Sequence, residues 1–149
     1  MSDNWLQFIP DDPNFQPSAE AAKDAEEMLA SFVPDAESVH ATFHQSIEFF
    51  HPGGNWSGVA CPACASDIEA WWQDAMQTSG KSRFQDLMVS TPCCAKRISL
   101  NDLAYIWPAA FGRFALEAMN PNVKDITPAQ EQVLSARLGH RLRKVWLHL

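Results

Sequence analysis

The stretch Phe84–Leu100, FQDLMVSTPCCAKRISL, sets two alternating apolar segments, Phe84–Thr91 and Ala95–Leu100, on either side of Pro92-Cys93-Cys94. Two such segments joined by a proline turn read as a β-hairpin whose tip is the cysteine pair. A matching pair, Cys61-Pro62-Ala63-Cys64, stands upstream, with 28 residues between Cys64 and Cys93. Zinc takes four soft donors at about 2.3 Å in a tetrahedron, and a CxxC turn brings two thiolates to one side of a tight loop. Adjacent cysteines in a regular strand point to opposite faces, so Cys93 and Cys94 can meet one ion only if the chain turns sharply, as Pro92 allows. The expected metal set is therefore Cys61, Cys64, Cys93 and Cys94, with His51 as the nearest substitute in sequence should one of the adjacent pair point away.

Two other readings of the cysteines stand beside this one. CxxC also serves as a thiol–disulfide motif, although no thioredoxin-type βαβ pattern follows Cys61, and free cysteine can pack as a small hydrophobe. Four thiolates would close the shell and leave no position for water, so the expected cofactor is a structural zinc. It would clamp the segment Trp56–Cys64 onto the hairpin Thr91–Ile98, a zinc-binding substructure at about 55–100 within one domain spanning 1–149.

Working outward, Trp5–Ile9 alternates and stops at Pro10, as a short strand does, and a turn-rich connection follows to Pro17. Ser18 caps a helix to about Phe32 with Ala22, Ala25, Met28, Leu29 and Phe32 on one face. Glu37–Phe50 reads as a long half-buried strand, His51–Asn55 as a turn, and Ser66–Gln77 as a helix broken at Ser79-Gly80. Pro108 opens an expected helix to Met119 with Phe111, Phe114, Ala115 and Ala118 inward. Thr127-Pro128-Ala129-Gln130 is a capping box whose helix stops at Gly139, and Arg141–Leu149 reads as a last strand. The expected fold class is α+β: a mixed or antiparallel sheet with about four helices and a zinc-ribbon-like pair of cysteine knuckles.

With 149 residues, 46 % of them hydrophobic and 19 % charged, the chain has the length and composition of one folded domain rather than a disordered or fibrous chain. No apolar run approaches the roughly 18 residues of a membrane span, and the acidic, proline-bearing start is unlike a signal peptide; the expected location is a cytoplasm. The net charge of −7 is unevenly placed: residues 1–40 hold nine acids and one base, and the remainder nine acids and ten bases. Four thiolates around Zn²⁺ would take −7 to −9. That balance disfavours nucleic acid, whose phosphates need a positive footprint, although Arg137, Arg141, Arg143 and Lys144 offer a small basic end.

The histidines, His40, His44, His51, His140 and His148, show no helical ligand pairing, and no phosphate loop or nucleophile elbow is present. Trp71-Trp72 suits core packing, with a partner-binding aromatic beside Asp67, Glu69 and Asp74 as the sharper alternative. Leu100–Leu103 reads as a turn or helix start capped by Asn101 or Asp102.

The landmarks Gly53-Gly54-Asn55-Trp56, Cys61-Pro62-Ala63-Cys64, Trp71-Trp72, Thr91-Pro92-Cys93-Cys94, Ser99–Leu103 and Trp107-Pro108 together resemble a family of small, uncharacterised bacterial proteins with a CPxC and PCC pair. The resemblance spans most of the chain and implies a cytosolic zinc-containing α+β protein; it carries over no activity. Ala95 stands where such relatives often have glycine. The first functional expectation is a non-enzymatic, zinc-stabilised protein-binding module, immunity- or antitoxin-like, whose acidic front meets a basic partner. The alternatives are an enzyme with a pocket between sheet and helices using His44 or His51, and a zinc-ribbon nucleic-acid binder.

Overall fold

The computed structural model describes residues 2–149. Its spine is a four-stranded sheet in the order β2-β7-β1-β8, built from β1 (Asn4–Pro10), β2 (Ser38–Phe50), β7 (Ala110–Met119) and β8 (Leu142–His148). Every neighbour in it is antiparallel. One face of the sheet is covered by α1 (Ala19–Phe32) and α3 (Pro128–Leu138). Between β2 and β7 the chain forms a second body: β3 (Val59–Ala60), α2 (Glu69–Gly80), the hairpin β4 (Met88–Ser90) and β5 (Arg97–Ser99), a 3₁₀ turn at Leu100–Asp102, and β6 (Ala104–Tyr105) paired with β3.

The helices α1 and α3 begin where their caps dictate. Ser18 Oγ accepts from the Ala21 N–H, Thr127 and Gln130 close a reciprocal capping box, and Gly139 ends α3 at φ +85°. Their inward faces, Ala22, Ala25, Leu29, Leu134 and Leu138, pack on Leu6, Phe8, Phe114, Leu116 and Ala118 from β1 and β7. Those sheet residues fall at alternate positions, as a pleated face requires.

The α+β class and the antiparallel option stand, but the described residues hold three α-helices, not about four. The expected helix Pro108–Met119 is instead the strand β7 from Ala110. Phe111, Phe114, Ala115 and Ala118 do fall at helical spacing. However, β7 lies between β1 and β2 and is buried on both faces, so it lacks the alternation that marks a half-exposed strand. Gly112 marks the same packing: a Cβ there would meet Ile9 Cγ2 at 2.5 Å.

Smaller corrections follow from tertiary contacts. Residues 66–68 stay out of the helix because Ala60 bridges Asp67 and the Ile68 N–H donates to Val59, so α2 starts at Glu69; it then runs through Ser79-Gly80. The 3₁₀ turn is capped by Ser99, not by Asn101 or Asp102. The Asn101 side chain is buried instead, accepting from the Phe111 N–H and donating to the Asp11 carbonyl. The β2–β7 ladder breaks between Phe43 and Glu48, which leaves residues 44–47 as a wide bulge opposite Arg113. Beyond it Gly53 bridges His148, so the chain after β2 reaches the opposite edge strand of the sheet.

Candidate metal centre

The hairpin β4–β5 pairs Met88 with Ser99, Val89 with Ile98 and Ser90 with Arg97, and so offers Thr91–Lys96 as its tip. β3 delivers the other loop, Cys61–Ser66, directly opposite. Cys61, Cys64, Cys93 and Cys94 come together with all four sulfur atoms within 4.8 Å of one another, close enough to hold a metal ion. Cys61 Sγ lies 3.7 Å from Cys94 Sγ, Cys64 Sγ 3.3 Å from Cys93 Sγ, and the adjacent Cys93 and Cys94 sulfurs 3.9 Å apart. All four are free thiols, and Cys61 is buried while the other three are exposed.

The chain turns sharply enough at Pro92 for both adjacent sulfurs to face the cluster, so the substitution by His51 does not arise. His51 lies outside the group, and its Nδ1 accepts from the Gly53 N–H at 3.0 Å.

The two loops are the same local structure. In the first, the Cys61 N–H donates to the Ser66 carbonyl at 2.9 Å and the Ala65 N–H donates back to the Cys61 carbonyl at 2.8 Å. In the second, Thr91 and Lys96 are joined at 2.9 Å, and Ala95 and Thr91 at 3.0 Å. Proline holds the second position of each, and the fifth residue is left-handed in both, Ala65 at φ +64° and Ala95 at φ +53°. Laid over CPACAS, the second loop reads TPCCAK. Thr91 thus stands where Cys61 stands, Cys94 where Cys64 stands, and Cys93 takes the place of Ala63. The fourth sulfur comes from a shifted position in an otherwise repeated loop.

Thr91 is the site residue that sequence reading missed, and aligning the two six-residue loops would have found it. It is 2 % exposed; its Oγ1 accepts from the Lys96 N–H at 3.0 Å and sits 3.6 Å from Cys94 Sγ. Ser66 Oγ lies similarly near Cys64 Sγ, at 3.2 Å. Each loop therefore places one hydroxyl beside one sulfur.

The metal-free thiols are unequal. Burial raises Cys61, but the N–H groups of Cys64 and Ala63 and hydrogen bonds from Cys93 and Thr91 outweigh it and bring the thiol down to about 6. The Ser66 hydroxyl and N–H lower Cys64 as well. Cys93, hydrogen-bonded to Cys64 and partly desolvated, is pushed up to about 11. Near neutral pH Cys61 thus favours the thiolate and Cys93 keeps its proton, while Cys64 is shifted in the same direction as Cys61.

An aromatic wall backs the centre. Trp72 stacks on Trp56 at 4.8 Å and donates to Tyr105 Oη, which donates to the Leu100 carbonyl at 2.7 Å. Trp56 Nε1 donates to Glu69, and Phe49 packs on Phe111 at 4.8 Å. Trp72 and Trp71 therefore pack against the core around Cys61, Val59 and Ile68, as the packing reading of the tandem tryptophans requires.

The other candidates are spread through the fold. His44 lies in the β2 bulge with its ring against Phe50 at 5.8 Å. Arg137 pairs with Asp24, Arg143 with Asp11 and Asp102, and Lys144 with Asp125 and Glu131, so most of the basic C-terminal end is neutralised within the molecule. No family model, no curated protein and no solved structure matches this chain. No helix among the described residues is long and apolar enough to cross a membrane.

Proposed function

We propose that Cys61, Cys64, Cys93 and Cys94 hold one structural Zn²⁺, and that the zinc-stapled domain is a protein-binding module without catalytic activity of its own. The observation that carries the metal is the sulfur geometry. A tetrahedron with Zn–S bonds of about 2.3 Å has edges of about 3.8 Å, and the closest sulfur pairs here lie at 3.3, 3.7 and 3.9 Å. Soft thiolates select zinc over hard cations, and four of them leave no open position for a reacting water. A site of reduced thiolates suits a reducing cytoplasm, the compartment this reading expects.

A basic partner fits the acids that the fold leaves unused. Asp11 and Asp24 are held in ion pairs, and Glu26 accepts from the Ala41 N–H on the edge of β2. Glu20, Glu27 and Asp35 are exposed on α1 and the turn after it, free to steer a positive surface toward the molecule. An immunity- or antitoxin-like protein that covers a basic target has this kind of surface.

Elemental analysis of the purified protein should return one zinc per chain. Cobalt exchanged into the site should give the thiolate charge-transfer bands of a tetrahedral sulfur centre. Absence of metal together with four freely reactive thiols would overturn the reading. For the partner, capture at low salt should recover a stoichiometric basic protein that is lost when Glu20, Glu27 and Asp35 are reversed to lysine. Capture that survives the reversal rules out the acidic face.

A further inference from the structure

The β2 bulge forms one wall of a cleft of about 200 Å³, whose other side is the turn after α2. Its polar lining is Asn14, Gln45, Ser46, Arg83, Gln85 and Arg113, with no carboxylate among them. We propose that this cleft binds a phosphate-class oxyanion, either the free ion or the phosphoryl group of a larger molecule.

The first reason is charge. Arg137, Arg143 and Lys144 each have carboxylate partners, whereas neither Arg83 nor Arg113 forms an ion pair among the described residues. In a chain of net charge −7, two guanidiniums facing one cleft without an acid form a local positive site against the overall balance.

The second reason is burial. Arg113 rises from the central strand β7 and is only partly exposed, and its buried Nε has no hydrogen-bond partner. The fold supplies no acceptor to this N–H and no carboxylate to the guanidinium, so the charge is not compensated from inside and the cleft that Arg113 lines is where an anion can meet it.

The third reason is donor chemistry. Guanidiniums present planar forks of N–H groups suited to oxyanions, and the serine hydroxyl and three amide side chains add further donors. A phosphoryl group carries about −1.5 to −2 near neutral pH and three strong acceptor oxygens, which matches two arginines in charge. The cleft is smaller than the roughly 300–1,000 Å³ of sites that enclose whole drug-sized ligands, so it accommodates the anionic group and leaves any remainder outside.

The break in the β2–β7 ladder gives the site its shape. Residues 44–47 are released from pairing opposite Arg113, and Gln16 Nε2 ties the bulge to β7 by donating to the His44 and Arg113 carbonyls at 2.9 and 3.0 Å.

Calorimetric titration of the purified protein with inorganic phosphate, at constant ionic strength in chloride, tests the assignment. The expected result is saturable binding at one site per chain, competed by sulfate and not by acetate. Arg113→Gln and Arg83→Gln should each weaken it by at least about tenfold. Arg83 is exposed, so its variant serves even if Arg113→Gln fails to fold. Phenyl phosphate separates the two sources: tighter binding than inorganic phosphate identifies a phosphoryl group on a larger molecule, and weaker binding identifies the free ion. No saturable binding, equal competition by acetate, or binding unchanged in Arg83→Gln overturns the proposal. None of these readouts depends on the cysteine centre.

Discussion

The sheet-and-helix body and the cysteine body are held together differently. The first buries Leu6, Phe8, Leu29, Phe114, Leu116 and Leu134 to 1 % exposure or less, under two helices with complete N-caps. The second has strands of only two or three residues, a helix with no side-chain cap, and a core whose aromatics Phe49, Trp56, Trp71, Trp72, Phe84 and Tyr105 are partly exposed. A lone two-stranded hairpin is marginal in water, so β4–β5 needs another attachment, and the four sulfurs stand where a metal would supply it. One body rests on burial under capped helices; the other has a smaller core around Val59, Cys61, Ile68, Leu100 and Phe111, to which the proposed metal would add a cross-link.

Metal removal should give the largest effect. A strong chelator, or Cys61→Ala, is expected to remove hydrogen-exchange protection from residues 59–105 while β1, β7, β8 and α3 stay protected, because structural zinc contributes on the order of 10 kcal/mol to small metal-dependent folds. Simultaneous loss of both bodies would break the distinction.

The repeated loop sharpens it. Cys93→Ala should lower zinc affinity by orders of magnitude, whereas the double variant Thr91→Cys/Cys93→Ala, which makes the second loop CPAC like the first, should restore it in a competition titration. Affinity should also fall as pH falls: binding must strip the proton from Cys93, held up to about 11, and below about 6 from Cys61 as well.

In the other body, Phe114→Ala should cost about 3–5 kcal/mol in denaturant unfolding of the sheet, with zinc content unchanged. Arg143 joins the two bodies through Asp11 before the sheet's helices and Asp102 in the 3₁₀ turn. Arg143→Met should cost about 1–3 kcal/mol and reduce the coupling between the two unfolding transitions. The smallest effect is expected from glycine at the left-handed positions. Ala65→Gly or Ala95→Gly relieves a conformation that costs a non-glycine residue about 1–2 kcal/mol, and each should raise the melting temperature of the zinc-loaded protein.

Much of this was legible beforehand where the signal is local. Ser18, Thr127 with Gln130, and Gly139 mark helix ends by hydrogen bonds within a few residues of themselves, and all three act as read. The cysteine spacing likewise foretold the cluster, because each loop is closed by bonds inside its own six residues. Ala110–Met119 carries no strand alternation because both of its faces are buried, Phe114, Leu116 and Ala118 with the helices and Phe111, Ala110 and Ala115 in separate clusters, by packing partners from distant parts of the chain. An asparagine beside a turn suits a cap, but the bonds Asn101 makes to Asp11 and Phe111 exist only once β1 and β7 meet.

The sequence by itself determined the turns, the caps, the two cysteine loops and the acidic first quarter, since each depends on interactions spanning a few residues or on composition alone. Only the tertiary structure decided that β7 is a central strand and that Arg83 and Arg113 share one cleft without an acid. Those outcomes depend on which distant surfaces pack together, and residues from 30 positions apart, as Arg83 and Arg113 are, to 114 apart, as Trp5 and Met119 are, carry no mark of their proximity until the chain has folded.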